Sequence, residues 1–397
     1  MNDSPFCVPG FLANGLHAGI KADGHPDLSL LYSVRPAVTA GVFTTNCFKA
    51  APVLLDQERI GKGMCQAVVI NSGFANAATG AEGMADALAV SGLVSRSLGI
   101  PDELVLVAST GVIGHRFPLD KIEGAMPTLV AGLRPEGIEA AEDGIMTTDR
   151  YPKIARRQGR FGGKTVTLCG IAKGAGMIQP NMATMLAFVM TDAAIEHDAL
   201  EAVFRRAVAP SFNSVTVDGC MSTNDTALIL ANGEAKNPIL RRGDRALAAF
   251  NRLLQDLLME LAQGMVRDGE GATKLIEITV AEARTKDEAR KIAYAVANSN
   301  LVKTAFYGGD PNWGRIISAA GSVGVDLPVD KVRLAFEGIT IFAEGRGGSG
   351  RAEDLAKVMQ RPEIRLTLSL GMGKRQCTIC TSDLSFEYVK INAHYHT

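Results

Sequence analysis

Short apolar runs alternate with helical patterns along almost the whole 397-residue chain, and nothing else in the sequence restricts the fold as much. Strand-like runs fall at 66–71, 104–109, 165–171, 185–190, 226–231, 275–280, 333–336 and 365–369. Helical patterns lie between them at 80–97, 119–130, 198–208, 244–266, 287–299 and 311–320. The clearest is 244–266, where Leu247, Phe250, Leu254, Leu257, Leu258 and Leu261 recur at helical spacing behind an N-capping Asp244. Such alternation predicts an α/β fold of stacked layers. From Glu282 to Lys291 seven of ten positions are charged, a composition shift that places a domain junction there and divides the chain into 1–285 and 286–397.

Composition removes several classes of function. With 41 Lys+Arg against 42 Asp+Glu, the chain lacks the basic footprint of a nucleic-acid binder. Its 47% hydrophobic content excludes disorder. No run approaches the roughly 18 apolar residues of a membrane span, so neither a membrane nor nucleic acid is expected as a partner. The first residues do not read as a secretory signal, and seven scattered cysteines read as reduced thiols, so a cytoplasmic protein is expected. Glycine is abundant at 42 residues and aromatics are few at 6%, which favours an enzyme with many tight turns.

Most standard signatures fail. Gly162-Gly163-Lys164-Thr165 resembles the tail of a phosphate loop, but Gln158 occupies the place of its first glycine. Gly174-Ala175-Gly176 and Gly371-Met372-Gly373 lack the third glycine of a dinucleotide fingerprint. Cys377 and Cys380 form a single CxxC pair in a strand-like stretch and read as buried structural thiols, not a zinc site. The six histidines are scattered, so no metal and no histidine base is expected. Arg150 to Lys173 carries seven basic residues around a Gly162-Gly163 turn and reads as a solvated basic hairpin.

One stretch remains chemically distinctive, Lys173-Gly-Ala-Gly-Met-Ile-Gln-Pro-Asn-Met-Ala183-Thr184-Met-Leu, a glycine-rich turn leading into an apolar strand that begins at a threonine. Glycine admits backbone conformations that press a hydroxyl against the preceding carbonyl. Attack there shifts the acyl group from nitrogen to oxygen, and hydrolysis of the ester frees a threonine with its own α-amine. That amine has an ordinary pKa of about 7.7–8.0, so it serves as the base of a nucleophile that needs no histidine. From the residues alone, a glycine-rich turn before a strand is more often purely structural.

This stretch resembles the processing site of the ornithine acetyltransferase (glutamate N-acetyltransferase) family of arginine biosynthesis. Further matches run in family order: Asn71-Ser-Gly-Phe-Ala-Asn76-Ala-Ala-Thr79-Gly80, Ser109-Thr110-Gly111-Val-Ile-Gly114, Met146-Thr147-Thr148-Asp149, Asp268-Gly269-Glu270-Gly271-Ala-Thr273-Lys274, Gly308-Gly-Asp-Pro-Asn-Trp-Gly-Arg315 and Asn392-Ala-His-Tyr-His-Thr397. Phe74 and Ala78 stand where asparagine and cysteine are common. The resemblance implies an α-β-β-α layered catalytic domain, like that of self-processing aminopeptidases, followed by a smaller α/β domain. It implies self-cleavage between Ala183 and Thr184, giving fragments 1–183 and 184–397 that assemble as two of each. It further implies transfer of acetyl from N-acetylornithine to Thr184 and then to glutamate, with acetyl-CoA open as a second donor and no cofactor.

Residue roles follow from the same resemblance. The Thr110 hydroxyl and the Gly111 N–H form the oxyanion hole, although alone they also read as a strand-ending turn. Lys173 holds a substrate carboxylate and Glu270 an ammonium; taken alone, each also reads as a solvated or turn residue. Thr147, Thr184, Asn392 and Thr397 complete the substrate contacts. Two rivals stand beside this expectation: an amide hydrolase or aminopeptidase that uses water on the same scaffold, and a non-catalytic amino-acid-binding protein that never cleaves.

Overall fold

The computed structural model describes residues 6–179, 185–348 and 352–394. Strands β1 (Phe11–Leu16), β2 (Leu28–Phe43), β3 (Met64–Phe74), β4 (Val105–Val112), β5 (Ile154–Phe161), β6 (Lys164–Lys173) and β7 (Leu186–Thr191) run through the first half, with helices α1 (Ala51–Ile60), α2 (Gly80–Leu98), α3 (Leu119–Ala131) and α4 (Ile138–Asp143). Then come α5 (His197–Val208), β8 (Val215–Thr216), β9 (Thr226–Ala231), α6 (Arg245–Arg267) and β10 (Leu275–Ala283). The remainder carries α7 (Lys286–Ala297), α8 (Asn300–Tyr307), α9 (Trp313–Gly321), β11 (Arg333–Phe336), β12 (Ile339–Ala343), β13 (Arg346–Gly347), α10 (Ala352–Met359), β14 (Glu363–Ser369), β15 (Arg375–Ser382) and α11 (Phe386–His394).

These elements form two units, each with a mixed sheet. Of the described residues, the first comprises those up to Asn213 together with Cys220–Met265; the second comprises Ser214–Gly219 and 266–394. The junction expected after residue 285 falls inside the second unit. There Ile276, Ile278 and Val280 of β10 share one core with Ala289, Ile292 and Val296 of α7, so the charged run at 282–291 covers the end of β10, a two-residue turn and the start of α7, and is not a linker between domains. A Thr285 capping box with Glu288 starts α7.

In the first unit the sheet order is β4-β3-β2-β9-β7-β6-β5, with β1 paired to β2. β3 and β4 are parallel, as are β7 and β9, and the other pairs are antiparallel. The parallel pairs require crossovers, which α2 and α5 supply. Alternation along each strand loads both faces of the sheet. Ala67, Val69, Val105 and Val107 pack with Val90 of α2 and Ile122 of α3, while Val68, Ile70, Leu106 and Ala108 join Ile171, Phe188 and Leu228 on the other side. The apolar stripe expected on 244–266 is buried along α6, with Phe250, Leu254, Leu257, Leu258 and Leu261 all inside. Gly170 of β6 admits this helix, since a Cβ there would meet Leu257 and Leu261 at 2.8 and 2.9 Å.

The second unit has the order β13-β12-β11-β14-β10-β15-β8. Cys377 and Cys380 are buried on β15, and all seven cysteines are free thiols. No helix of the described residues is long and apolar enough to cross a membrane.

Candidate active site

Three strand ends of the first unit build the site. β6 and β7 pair so that Lys173 lies opposite Leu186, and Leu186 lies beside Thr226 of β9. The first described residue after the glycine-rich turn, Met185, is therefore held next to the end of β6. Ala183 and Thr184, the expected cleavage pair, lie outside the described residues, as does Thr397.

Lys173 is the centre of the arrangement. Only 2% of it is exposed, and its Nζ donates to the Thr110 hydroxyl at 3.1 Å and the Thr147 hydroxyl at 2.8 Å. The solvated basic hairpin expected at 150–173 is thus corrected in part. The hairpin and its Gly162-Gly163 turn are present, but Lys153 and Lys173 are buried because Asp149 partners this corner of the sheet. The Asp149 carboxylate accepts Lys153 Nζ at 2.7 Å, the Gly174 N–H at 2.7 Å and the Thr147 N–H at 3.0 Å. Burial opposes its ionisation, yet the charges of Lys173 and Lys153 outweigh that and hold its carboxyl down to about 2. Glu142 accepts the Lys153 N–H at 2.8 Å and is pushed up to about 8 by burial, so it is mostly protonated at neutral pH. Lys153 and Lys173 thus share Asp149 as an ionised partner at this corner.

The chemical consequence lies in the hydroxyls. A hydroxyl that accepts from an ammonium still has its own proton to give, and the charge makes it a better donor. Thr110 and Thr147 are thereby set as polarised donors beside a cation, an arrangement fitted to a carboxylate or a developing oxyanion. Gly111, next to Thr110, has φ of +130°, and a Cβ there would lie 2.3 Å from the Gly73 carbonyl carbon. Only glycine lets β4 approach β3 so closely at that point. The Ser109 hydroxyl donates to Asn71 Oδ1 at 2.6 Å, tying the two strand ends together.

Of the expected site residues, the structure brings Thr110, Gly111, Thr147 and Lys173 to one corner of the first unit. Glu270 and Asn392 meet within the second unit, where Asn392 Nδ2 donates to Glu270 Oε2 at 2.7 Å. Gly271, at φ +69°, passes so close to α11 that a Cβ would lie 2.5 Å from the Tyr388 nitrogen. Phe74 packs edge-on to His115 at 6.5 Å, and Ala78 occupies an exposed turn at φ +56°. Sequence reasoning gave no role to Asp149, Lys153 or Glu142. Asp149 was within reach, because it closes the Met146–Asp149 match, but its burial between two lysines has no local signature. Among the described residues no cluster of three or more His, Cys, Asp or Glu is grouped to hold a metal.

A mixed α/β fold whose strand ends converge on a buried lysine–hydroxyl cluster gathers preset hydrogen-bond donors at one corner of the first unit. The ArgJ family model matches residues 12–397. The arginine biosynthesis bifunctional protein ArgJ of Geobacter sulfurreducens is 51% identical over 98% of this chain and 100% of its own. The protein of the same name from Syntrophotalea carbinolica is 48% identical over 98% of this chain and 99% of its own. The crystal structure of the Bacillus halodurans ArgJ protein aligns at 36% identity and a TM-score of 0.51, covering 52% of this chain and 98% of that one. This chain belongs to the ArgJ family.

Proposed function

We propose that the protein moves an acetyl group from N2-acetyl-L-ornithine to L-glutamate through an acetyl-Thr184 ester, releasing L-ornithine and N-acetyl-L-glutamate in arginine biosynthesis. Family membership supplies the reaction class. The observation that carries the reading to this chain is Lys173, which donates to Thr110 and Thr147 while lying opposite Leu186, two residues beyond Thr184.

In the precursor, the Thr184 hydroxyl attacks the Ala183 carbonyl; the peptide C–N bond breaks, which frees the Thr184 amine, and hydrolysis of the ester then gives the Ala183 carboxylate and restores the Thr184 hydroxyl. Fragments 1–183 and 184–397 remain together, two of each in the assembled enzyme. In turnover the Thr184 amine takes the hydroxyl proton as its oxygen attacks the acetyl carbonyl. The Thr110 hydroxyl and Gly111 N–H receive the developing oxyanion, and the amine returns the proton to the departing ornithine nitrogen. Glutamate's amine then attacks the ester and gives its proton to the same base, restoring the Thr184 hydroxyl. Ping-pong kinetics follow.

The corner around Lys173 and Thr147 suits the α-carboxylate that donor and acceptor share, with Glu270, Asn392 and Thr397 completing the substrate contacts. The chemistry calls for no metal and no cofactor. Acetyl-CoA is proposed as a second donor, in line with the word "bifunctional" in the relatives' names, and the cytoplasm as the place of action.

Intact mass spectrometry of purified protein, followed by product analysis with N-acetylornithine in the presence and absence of glutamate, tests the reading. Two fragments split before Thr184, with N-acetylglutamate formed only when glutamate is added, support it. Acetate released at the same rate with and without glutamate makes the enzyme a hydrolase. A Thr184→Ala protein that is still cleaved and active removes Thr184 from the mechanism.

A further inference from the structure

The segment just before β9, Ser222-Thr223-Asn224-Asp225, has no role in the mechanism above, yet it is buried among that mechanism's strand ends. Asn224 is 5% exposed and Asp225 is fully buried. The two consecutive side chains grip different pieces of backbone. Asn224 Nδ2 donates to the Ser109 carbonyl at 2.8 Å and to the Ala75 carbonyl at 2.6 Å. Asp225 Oδ1 accepts the Met185 N–H at 2.8 Å, and the next residue, Thr226, donates its own N–H to the Met185 carbonyl at 3.1 Å.

The identity of these backbone groups matters. The Ser109 carbonyl belongs to the peptide unit that carries the Thr110 N–H, so fixing it fixes the entry to the proposed oxyanion hole. The Met185 N–H belongs to the peptide unit that joins Thr184 to Met185, so fixing it fixes the backbone immediately after the proposed nucleophile. We infer that Asn224 and Asp225 form a positioning pair, one side chain holding the oxyanion strand and the next holding the nucleophile strand. Adjacent Cα atoms are about 3.8 Å apart across a trans peptide. The separation of attacker and oxyanion donors is then set through one covalent link, where side-chain packing alone would leave slack.

The pair is itself anchored. Asn224 receives the Thr223 hydroxyl at 2.6 Å and donates its N–H to the Ser222 hydroxyl at 3.0 Å. The Asp225 carbonyl accepts the Thr44 N–H at 2.9 Å, the Ser222 carbonyl accepts the Thr44 hydroxyl at 2.8 Å, and the Thr223 carbonyl accepts the Ala50 N–H at 2.9 Å. A clamp with two anchored ends transmits position; a loose loop would not.

This inference rests on the acetyl-transfer reading. The experiment compares wild type, Asn224→Ala, Asp225→Ala and Asp225→Asn, following fragment appearance by intact mass spectrometry and then kcat and KM for acetyl transfer by the processed protein. A misplacement of about 1 Å costs on the order of 100-fold in rate, so both alanine variants should process and turn over about 100-fold more slowly. KM should stay within about 3-fold of wild type, because the pair touches no substrate. Asp225→Asn keeps a side-chain oxygen for the Met185 N–H and should recover most of the lost rate. If the alanine variants are insoluble, Asn224→Asp, the same size but with acceptors facing two carbonyls, should show the same loss in kcat with KM held.

Alanine variants that process and turn over at wild-type rate overturn the clamp, as does a loss that appears in KM, or one that Asp225→Asn fails to rescue. Wild type that neither cleaves nor transfers overturns the functional reading and the clamp with it. Active wild type beside unaffected variants overturns the clamp alone.

Discussion

Two lysines, Lys173 in the first unit and Lys303 in the second, are each only 2% exposed, yet their surroundings differ in kind. Lys303, on α8, donates to the Thr381 hydroxyl at 3.0 Å, to the Ser382 hydroxyl at 3.3 Å and to the Ser382 carbonyl. Burial outweighs the pull of Asp383 and Asp218 and lowers its pKa to about 8. Its partners include a strand-end carbonyl, and the Thr381 hydroxyl passes its own proton to the Ala297 carbonyl at 3.2 Å. The Thr381 arm of that network therefore ends within the protein. Lys173 donates to hydroxyls on two separate segments and lies beside a carboxylate held at about 2. A buried cation is therefore no mark of a site by itself; what matters is whether its partners still have something to give to a ligand.

Four measurements press on this contrast. The largest effect is expected from Asp149→Asn, which leaves Lys153 and Lys173 buried without their shared anion. Losing one partner of a buried pair costs about 3–5 kcal/mol, to be read from denaturant unfolding. The same carboxylate has an acid signature. Its pKa is depressed, so its contribution is present above the ordinary value of about 3.9 and disappears as pH falls toward about 2; Asp149→Asn should flatten that limb.

Next comes Lys173→Met, for which steady-state kinetics should show acetyl transfer down by about 100-fold, in the range of a lost oxyanion donor. Unchanged transfer would put Lys173 in the same class as Lys303.

Glu142→Gln is smaller and depends on pH. The wild-type carboxyl is raised to about 8, so the folded protein holds a proton that the unfolded chain has lost, and stability declines from about pH 4.3 to pH 8. The variant should be flatter across that window and gain on wild type at its alkaline end.

Lys303→Met should have the smallest effect on catalysis, with kcat within about 3-fold of wild type. For a base lowered to about 8, the unfolded chain binds the extra proton between pH 8 and about 10.4, so wild type gains stability as pH rises there. The variant should lack that gain. A large loss of kcat would erase the distinction between the two lysines.

Much of the architecture was legible in the residues. The expected strand at 226–231 matches β9 residue for residue, and 80–97 and 244–266 match α2 and α6 to within one residue at each end. β2 escaped notice because Arg35 and Pro36 sit in a register shift between Tyr32 and Ala37 that breaks its alternation. α11 escaped because it buries none of its residues and so carries no amphipathic stripe. The motif carrying Thr110 and Gly111 was legible, and so was Lys173. Its burial was not, nor were the roles of Asp149 and Asn224, whose partners lie at positions that no local pattern connects.

The order of its strands and helices, the stripe along α6 and the glycine beside Thr110 were written in this protein's residues, since periodicity and backbone freedom act over a few neighbouring positions. Whether Lys173 faces water or two hydroxyls was decided only when β6 closed against β4, sixty-three residues apart in sequence. Charge and burial are properties of a neighbourhood, and that neighbourhood exists only in the folded chain.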